Sequence, residues 1–346
     1  MKKALMIYKW ILLAVLFQAL VFSYLEFIYL PNRGAVKATA FEVSDGNIKS
    51  KNVRIPADAA NISVSYNGFY AAYGQGNKIV LIDIRSGKKL KTLDASGGTF
   101  SYFRWLPDRD MLIYSTKAPD GEKGKVRIST YDVGPNLERS YPNIADLPED
   151  SETVDIELSP LTNVVYAMIR TGDSKVKVYK YNIMDELSFV MNTGSKTVFK
   201  ETAYSDNLVY QADGGKVTVR SGKSGKNGSL PVKESLVLLA VDSEDNVYAG
   251  QLDDTDKITA VHWGKLDQKS GEWKKTNLDT PSLAPELFIT PNGSLYRVSR
   301  QDKQVVDEGD GSKISFEGEF LEVLDDYVVS LDGSRLKLTA IAKEEK

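Results

Sequence analysis

The sequence predicts an all-β propeller of about seven four-stranded blades, preceded by one N-terminal transmembrane helix. Three observations predict it. A long apolar run occupies residues 10–30, and no sustained 3.6-residue apolar stripe follows it. Beyond residue 31, short Tyr/Val/Ala-rich runs are bounded by Asn, Asp, Pro and Gly turns. One turn-and-strand unit recurs seven times at a spacing of roughly 44 residues, the period of a four-stranded blade.

Composition narrows the function classes. The 346 residues are 42% hydrophobic and 26% charged, which is the balance of a folded globular chain. The net charge is −3 with both signs interspersed, so a nucleic-acid footprint is missing. Cysteine is absent, which excludes disulfide frameworks, thiolate metal sites and cysteine nucleophiles.

Residues 1–9 carry Lys2, Lys3 and Lys9 and read as a short cytoplasmic tail. Residues 10–30, from Trp10 to Leu30, are interrupted only by Gln18, Ser23 and Glu26. At about 1.5 Å per residue they span roughly 30 Å, the hydrocarbon thickness. Tyr8 and Trp10 mark one end and Tyr24, Phe27 and Tyr29 the other, as an aromatic belt would. A cleaved signal peptide is the alternative, with Ala38-Thr39-Ala40 as its site, but the run is longer than such a segment needs. The expectation is a single-pass signal anchor in the cell membrane, N-terminus cytoplasmic, with residues 31–346 forming an extracytoplasmic propeller.

The repeats follow in order. Residues 36–43 and 47–55 are strand-like and meet at Ser44-Asp45-Gly46, a hairpin signal. The seven turns centre on Asn67-Gly68, Pro107-Asp108, Ser159-Pro160, Asp206-Asn207, Asp242–Asp245 in residues 241–245, Pro291-Asn292-Gly293 and Asp325-Asp326. The hairpin KIVLIDIRSGKKLKTL at residues 78–93 recurs in degraded form at 265–275 as KLDQKSGEWKK. The last repeat is one strand short, and residues 36–55, chiefly 36–43, are expected to complete it. Six blades plus an extra hairpin, or eight blades, are the alternative counts.

On these residues the chain resembles the TolB-like, YVTN and dipeptidyl-peptidase N-terminal propeller families. Ile82-Asp83-Ile84-Arg85-Ser86-Gly87-Lys88 also resembles the repeat of pyrroloquinoline-quinone proteins. That repeat carries a tryptophan two positions after the lysine, where this chain has Leu90. The resemblance implies a WD40-like propeller architecture and transfers no catalytic residue.

Candidate chemistry is sparse. His262, the single histidine, lies in a strand pattern beside Trp263 and reads as a packed strand residue. Gly222-Lys223-Ser224 lacks the earlier glycine of a phosphate loop, since position 217 is Val, so residues 221–229 read as a flexible blade loop. Asp253, Asp254 and Asp256, and Asp307 and Asp310, are the candidate calcium ligands, without EF-hand spacing. Phe100, Tyr102, Phe103 and Trp105 cluster in the second repeat, with Phe103 and Trp105 on one face and Tyr102 on the other. No catalytic and no cofactor-binding residue is assigned.

The expected function is a non-enzymatic binding or scaffolding module for a protein or glycan partner at the propeller loops. The alternative is a propeller enzyme, either a carbohydrate hydrolase or lyase or a quinoprotein-type oxidoreductase. A binding module should expose an apolar patch on one face. An enzyme should gather convergent polar side chains of perturbed ionisation at the channel mouth.

Overall fold

The computed structural model describes residues 2–24, 53–118, 124–232 and 234–342, in two compact units divided after Asp45. In the first unit, α1 (Lys2–Tyr24) is Leu- and Ala-rich with no Gly or Pro to break it. Its side chains from Tyr8 to Tyr24 are all exposed, apolar ones included. The helix starts ahead of Trp10, and residues 25–30 of the expected span, with Leu30, lie outside the described residues. Among the described residues no helix is long and apolar enough to cross a membrane.

The second unit is a seven-bladed propeller. Blade 1 holds β1 (Ala60–Val64), β2 (Tyr70–Gln75), β3 (Lys78–Asp83) and β4 (Lys88–Asp94). Blade 2 holds β5 (Thr99–Trp105), β6 (Met111–Lys117), β7 (Val126–Asp132) and β8 (Leu137–Ser140). Blade 3 holds β9 (Glu152–Leu158), β10 (Val165–Arg170), β11 (Lys175–Tyr181) and β12 (Leu187–Gly194). Blade 4 is the shortest, with β13 (Val198–Glu201), β14 (Leu208–Gln211), β15 (Thr218–Arg220) and β16 (Asn227–Ser229). Blade 5 holds β17 (Leu236–Val241), β18 (Val247–Leu252), β19 (Ile258–Gly264) and β20 (Lys274–Ser282). Blade 6 holds β21 (Leu287–Ile289), β22 (Leu295–Ser299), β23 (Gln304–Asp307) and β24 (Lys313–Ser315). Blade 7 has three strands of its own, β25 (Glu319–Val323), β26 (Tyr327–Asp332) and β27 (Arg335–Ala340). All seven expected turns fall between the first and second strands of a blade. The 78–93 hairpin is β3–β4, with Asp83 Oδ1 accepting the Ser86 amide at 2.8 Å and Gly87 at φ 69°. Its degraded copy joins β19 to β20, the same place in blade 5.

Burial explains the ring. The apolar side chains form seven clusters, and each lies at one junction between neighbouring blades. A lone twisted sheet leaves one of its faces wet, and radial packing buries both while shortening the exposed edges. Blade 7 is completed from the other end of the chain. Ile55 N donates to Ser334 O at 2.8 Å and Leu336 N to Val53 O at 3.0 Å, so residues 53–55 lie antiparallel beside β27. Val53 and Ile55 are buried in the cluster between blades 7 and 1. Residues 36–43, expected to do this, lie outside the described residues; the described pairing falls further along the chain.

The first-to-second-strand turns are also linked to one another. Each donates to the next blade's turn through six successive junctions. Asn67 Nδ2 donates to Asp110 Oδ2 (3.1 Å), Arg109 Nη2 to Pro160 O (2.8 Å) and Ser159 Oγ to Ala203 O (2.5 Å). Ala203 N donates to Asp245 Oδ1, Ser243 Oγ to Pro291 O (2.8 Å) and Asn292 N to Asp325 Oδ1 (3.1 Å). The seventh junction is packed: at Gly68 (φ +74°) an added Cβ would lie 3.0 Å from Leu338 Cδ2 and 3.1 Å from Tyr327 Cδ2.

Candidate functional site

Two features of blades 2–4 stand out, one facing the ring's centre and one on the turn face. The first is built on three innermost strands. Tyr102 OH donates to Asp155 Oδ1 at 3.0 Å, from β5 to β9. Arg104 Nη2 donates to Glu157 Oε2 at 3.0 Å, and Lys200 Nζ on β13 donates to Glu157 Oε1 at 2.7 Å. The network sits deep in the molecule, yet the Arg104 and Lys200 side chains keep 27% and 28% of their exposure. That combination is what an axial channel produces: many protein atoms around, and water along one line.

The charges tune one another. Burial works against the Glu157 carboxylate, but Arg104 and Lys200 overcome it and hold the group below the usual range. Burial raises Asp155, and the nearby Glu157 charge adds to the effect. Burial also raises Tyr102. Glu201 pairs in register with Leu208 on β14. It is buried, neither of its carboxyl oxygens has a partner among the described residues, and burial with the Glu157 charge pushes it well up. Glu157 and Glu201 are thus shifted in opposite directions. Around the ring, Glu322 on β25 accepts the Val64 amide at 2.6 Å, and burial pushes it up to about 7.

The second feature is apolar. Among the described residues of the propeller, nine large hydrophobic side chains are exposed. Five share the face that carries the first-to-second and third-to-fourth strand turns of blades 2–4: Leu137, Leu161, Ile183, Met184 and Tyr204. Their exposure runs from 55% at Tyr204 to 74% at Met184, well beyond the edge of any core. The Arg139–Asp185 ion pair joins the outer turns of blades 2 and 3 across this face. Arg109, bonded to Pro160 beside Leu161, joins the inner ones.

The residues singled out in the sequence fall elsewhere. His262 is a buried strand residue on β19, its Nε2 3.0 Å from Gln251 Oε1, and burial lowers its pKa. Residues 221–226 form a hydrogen-bonded turn, in which Gly222 packs against Asp206 and its carbonyl accepts Lys180 Nζ at 3.2 Å. Asp253, Asp254 and Asp256 lie in the β18–β19 turn of blade 5, and Asp307 and Asp310 at the β23–β24 turn of blade 6. Asp253 Oδ1 accepts the Thr255 and Lys257 amides, Asp307 Oδ1 the Gly309 amide and Asp310 Oδ1 the Ser312 amide. Those oxygens close their own turns, and among the described residues no group of three or more acidic or histidine side chains could hold a metal ion. Phe103 and Trp105 pack between blades 1 and 2, while Tyr102 lies on the other face, as alternation predicts.

The network residues other than Tyr102 escaped the sequence reading. Asp155-x-Glu157 alternates with the buried Ile156 and Leu158, which also describes the wet face of a half-exposed strand. The signal that was there is the concentration of charge on first strands, Arg104, Asp155, Glu157 and Lys200, which face the axis once the ring closes.

Comparison with known proteins supports the architecture. No family profile matches the chain, and no curated protein aligns with it in sequence. Among solved structures, the Cps50 (Swd1) β-propeller domain of Myceliophteria thermophila superposes with a TM-score of 0.52 at 11% identity, over 85% of this chain and 99% of that one. KlHsv2 with its loop 6CD replaced by a Gly-Ser linker gives a TM-score of 0.50 at 11% identity, over 82% and 89%. At such identity the likeness is one of fold. The chain is a seven-bladed β-propeller.

Proposed function

We propose that this chain is a membrane-anchored, extracytoplasmic binding or scaffolding module that docks a protein partner on the turn face of blades 2–4. The observation that carries the reading is the gathering of Leu137, Leu161, Ile183, Met184 and Tyr204 on that face. Scattered surface hydrophobics need no explanation, but five of the nine exposed large hydrophobics among the described propeller residues fall on one face of three neighbouring blades, which marks an interaction surface. Aliphatic side chains and methionine fit a protein interface better than a glycan, which is gripped by polar groups and flat rings. The anchor is α1, whose side chains from Tyr8 to Tyr24 are exposed, apolar ones included, with Lys2 and Lys3 at the start of its sequence. The channel network meets one requirement of the enzymatic alternative. Its charges are nevertheless spent on one another, as in a structural ion-pair network.

The experiment compares the wild-type chain with a Leu161→Glu/Met184→Glu variant in crosslinked native membranes. Both should remain in the membrane after an alkaline carbonate wash. Wild type should retain a specific protein partner and the variant should lose it. Equal recovery from the two, or release of both by the wash, would overturn the corresponding half of the reading.

A further inference from the structure

The rim of the propeller is a row of outer strands, and six of the seven are guarded against pairing with another chain. The outermost strand of a sheet presents unpaired N–H and C=O groups, which natural proteins blunt with short strands, lysine, proline or bulges. β4 carries Lys88, Lys89 and Lys91, and β20 carries Lys274, Lys275 and Pro281. β8 is four residues long with Glu138 and Arg139 among them, and β16 and β24 are three residues each. At blade 7 the described outer segment, residues 53–55, holds Arg54.

The outer strand of blade 3 is different. β12 (LSFVMNTG) is eight residues long and has no charge and no proline. The one device it has is a bulge at Val190, and β4 carries a bulge at Leu90 in addition to its lysines. It ends the blade 3 sheet, and among the described residues no strand pairs with its outer edge. Phe189 is 54% exposed and stands edge-on to Tyr179 with ring centres 5.8 Å apart, which leaves apolar surface for a further strand to cover.

The lack of charge selects the occupant. Edge strands of two copies of one chain meet antiparallel about a two-fold axis, so the strand faces itself. On β4 that would set three lysines against three lysines, and like charges placed opposite each other destabilise a strand pair. β12 meets its own copy without that cost. An unrelated strand would be selected by complementary charge, and β12 offers none to select by. We propose that β12 pairs antiparallel with β12 of a second copy of this chain, joining the two blade 3 sheets edge to edge. This interface is separate from the turn-face docking surface and does not rest on it.

The test uses the full chain in detergent micelles, with the protein mass read by light scattering over a concentration series. Wild type should reach twice the chain mass, and Ser188→Glu/Asn192→Glu should halve it. Both positions are exposed and stand in register with Lys180 and Lys177 on β11, so the new carboxylates are matched within a copy and repelled between copies. Lys89→Glu on β4 and Leu161→Glu on the turn face should leave the mass unchanged. Should thermal melting show that the double variant does not fold, crosslinking decides. The chain has no cysteine, so a bismaleimide should join copies of Asn192→Cys and not copies of Lys89→Cys. A wild-type monomer overturns the proposal, and so does a dimer that persists in the double variant, or equal crosslinking at the two positions.

Discussion

Two junctions of the ring bury a carboxyl group on an innermost strand and shift its titration in opposite directions. Between blades 3 and 4, Glu157 lies between Arg104 and Lys200 and stays ionised. Between blades 7 and 1, Glu322 meets one backbone amide and no neighbouring charge contributes to its titration; its pKa rises to about 7. Burial opposes ionisation at both places, so burial does not explain the difference. Cations within reach do. The junctions also differ in construction. The turns of blades 3 and 4 are tied by a hydrogen bond between side chain and carbonyl. The closing junction relies on a borrowed strand at residues 53–55 and on tight packing at Gly68.

The comparison can be broken first at Glu157. Glu157→Gln leaves Arg104 and Lys200 without their counter-charge, and breaking a buried pair from one side costs about 3 kcal/mol or more. Denaturant midpoints of the wild type and the variant measure it. An unchanged midpoint would show that the network contributes nothing to the fold. The closing junction is probed next by Ile55→Ala. Removing this buried side chain should cost about 2–4 kcal/mol. A cost near zero would mean that the ring stays shut without its borrowed strand.

Opposite shifts imply opposite pH slopes. Glu322 has a folded pKa raised above its unfolded value, so the folded state binds the extra proton in between. Its contribution is fully present below about pH 4.5 and is lost as pH rises through 7. Glu157 has a lowered folded pKa, so its contribution holds above the unfolded value and is lost as pH falls. Glu322→Gln should therefore melt higher than wild type at pH 8 and no higher at pH 4, a gain of up to about 2 kcal/mol after allowing for partial solvent access. Melting curves across pH 4–8 decide it; a constant difference between the two proteins would refute the assignment. The smallest effect expected is at the packed turn. Gly68→Ala combines a positive φ with a close approach to Leu338 and Tyr327, and should cost about 1 kcal/mol by thermal melting.

Much of the fold was readable. Each of the seven turns lies between first and second strands because Asn, Asp, Pro and Gly set local dihedral angles wherever they stand. The repeat hairpin sits at the same place in blades 1 and 5 for the same reason. The candidate sites were far less readable. The acidic runs at 253–256 and 307–310 draw the eye, but their oxygens cap their own turns. Arg104, Glu157 and Lys200 look like ordinary wet-face charges until three strands, some 50 residues apart in sequence, are brought side by side.

The sequence by itself determined the β class, the blade period, the turn positions and which face of each strand is apolar, because these depend on neighbours one to four residues away. Ring closure decided the rest. It chose residues 53–55 as the strand that completes blade 7 and turned first strands toward the axis. It gave Glu157 two cations and Glu322 none. Those outcomes depend on distances between residues tens to hundreds of positions apart, and only tertiary packing sets such distances.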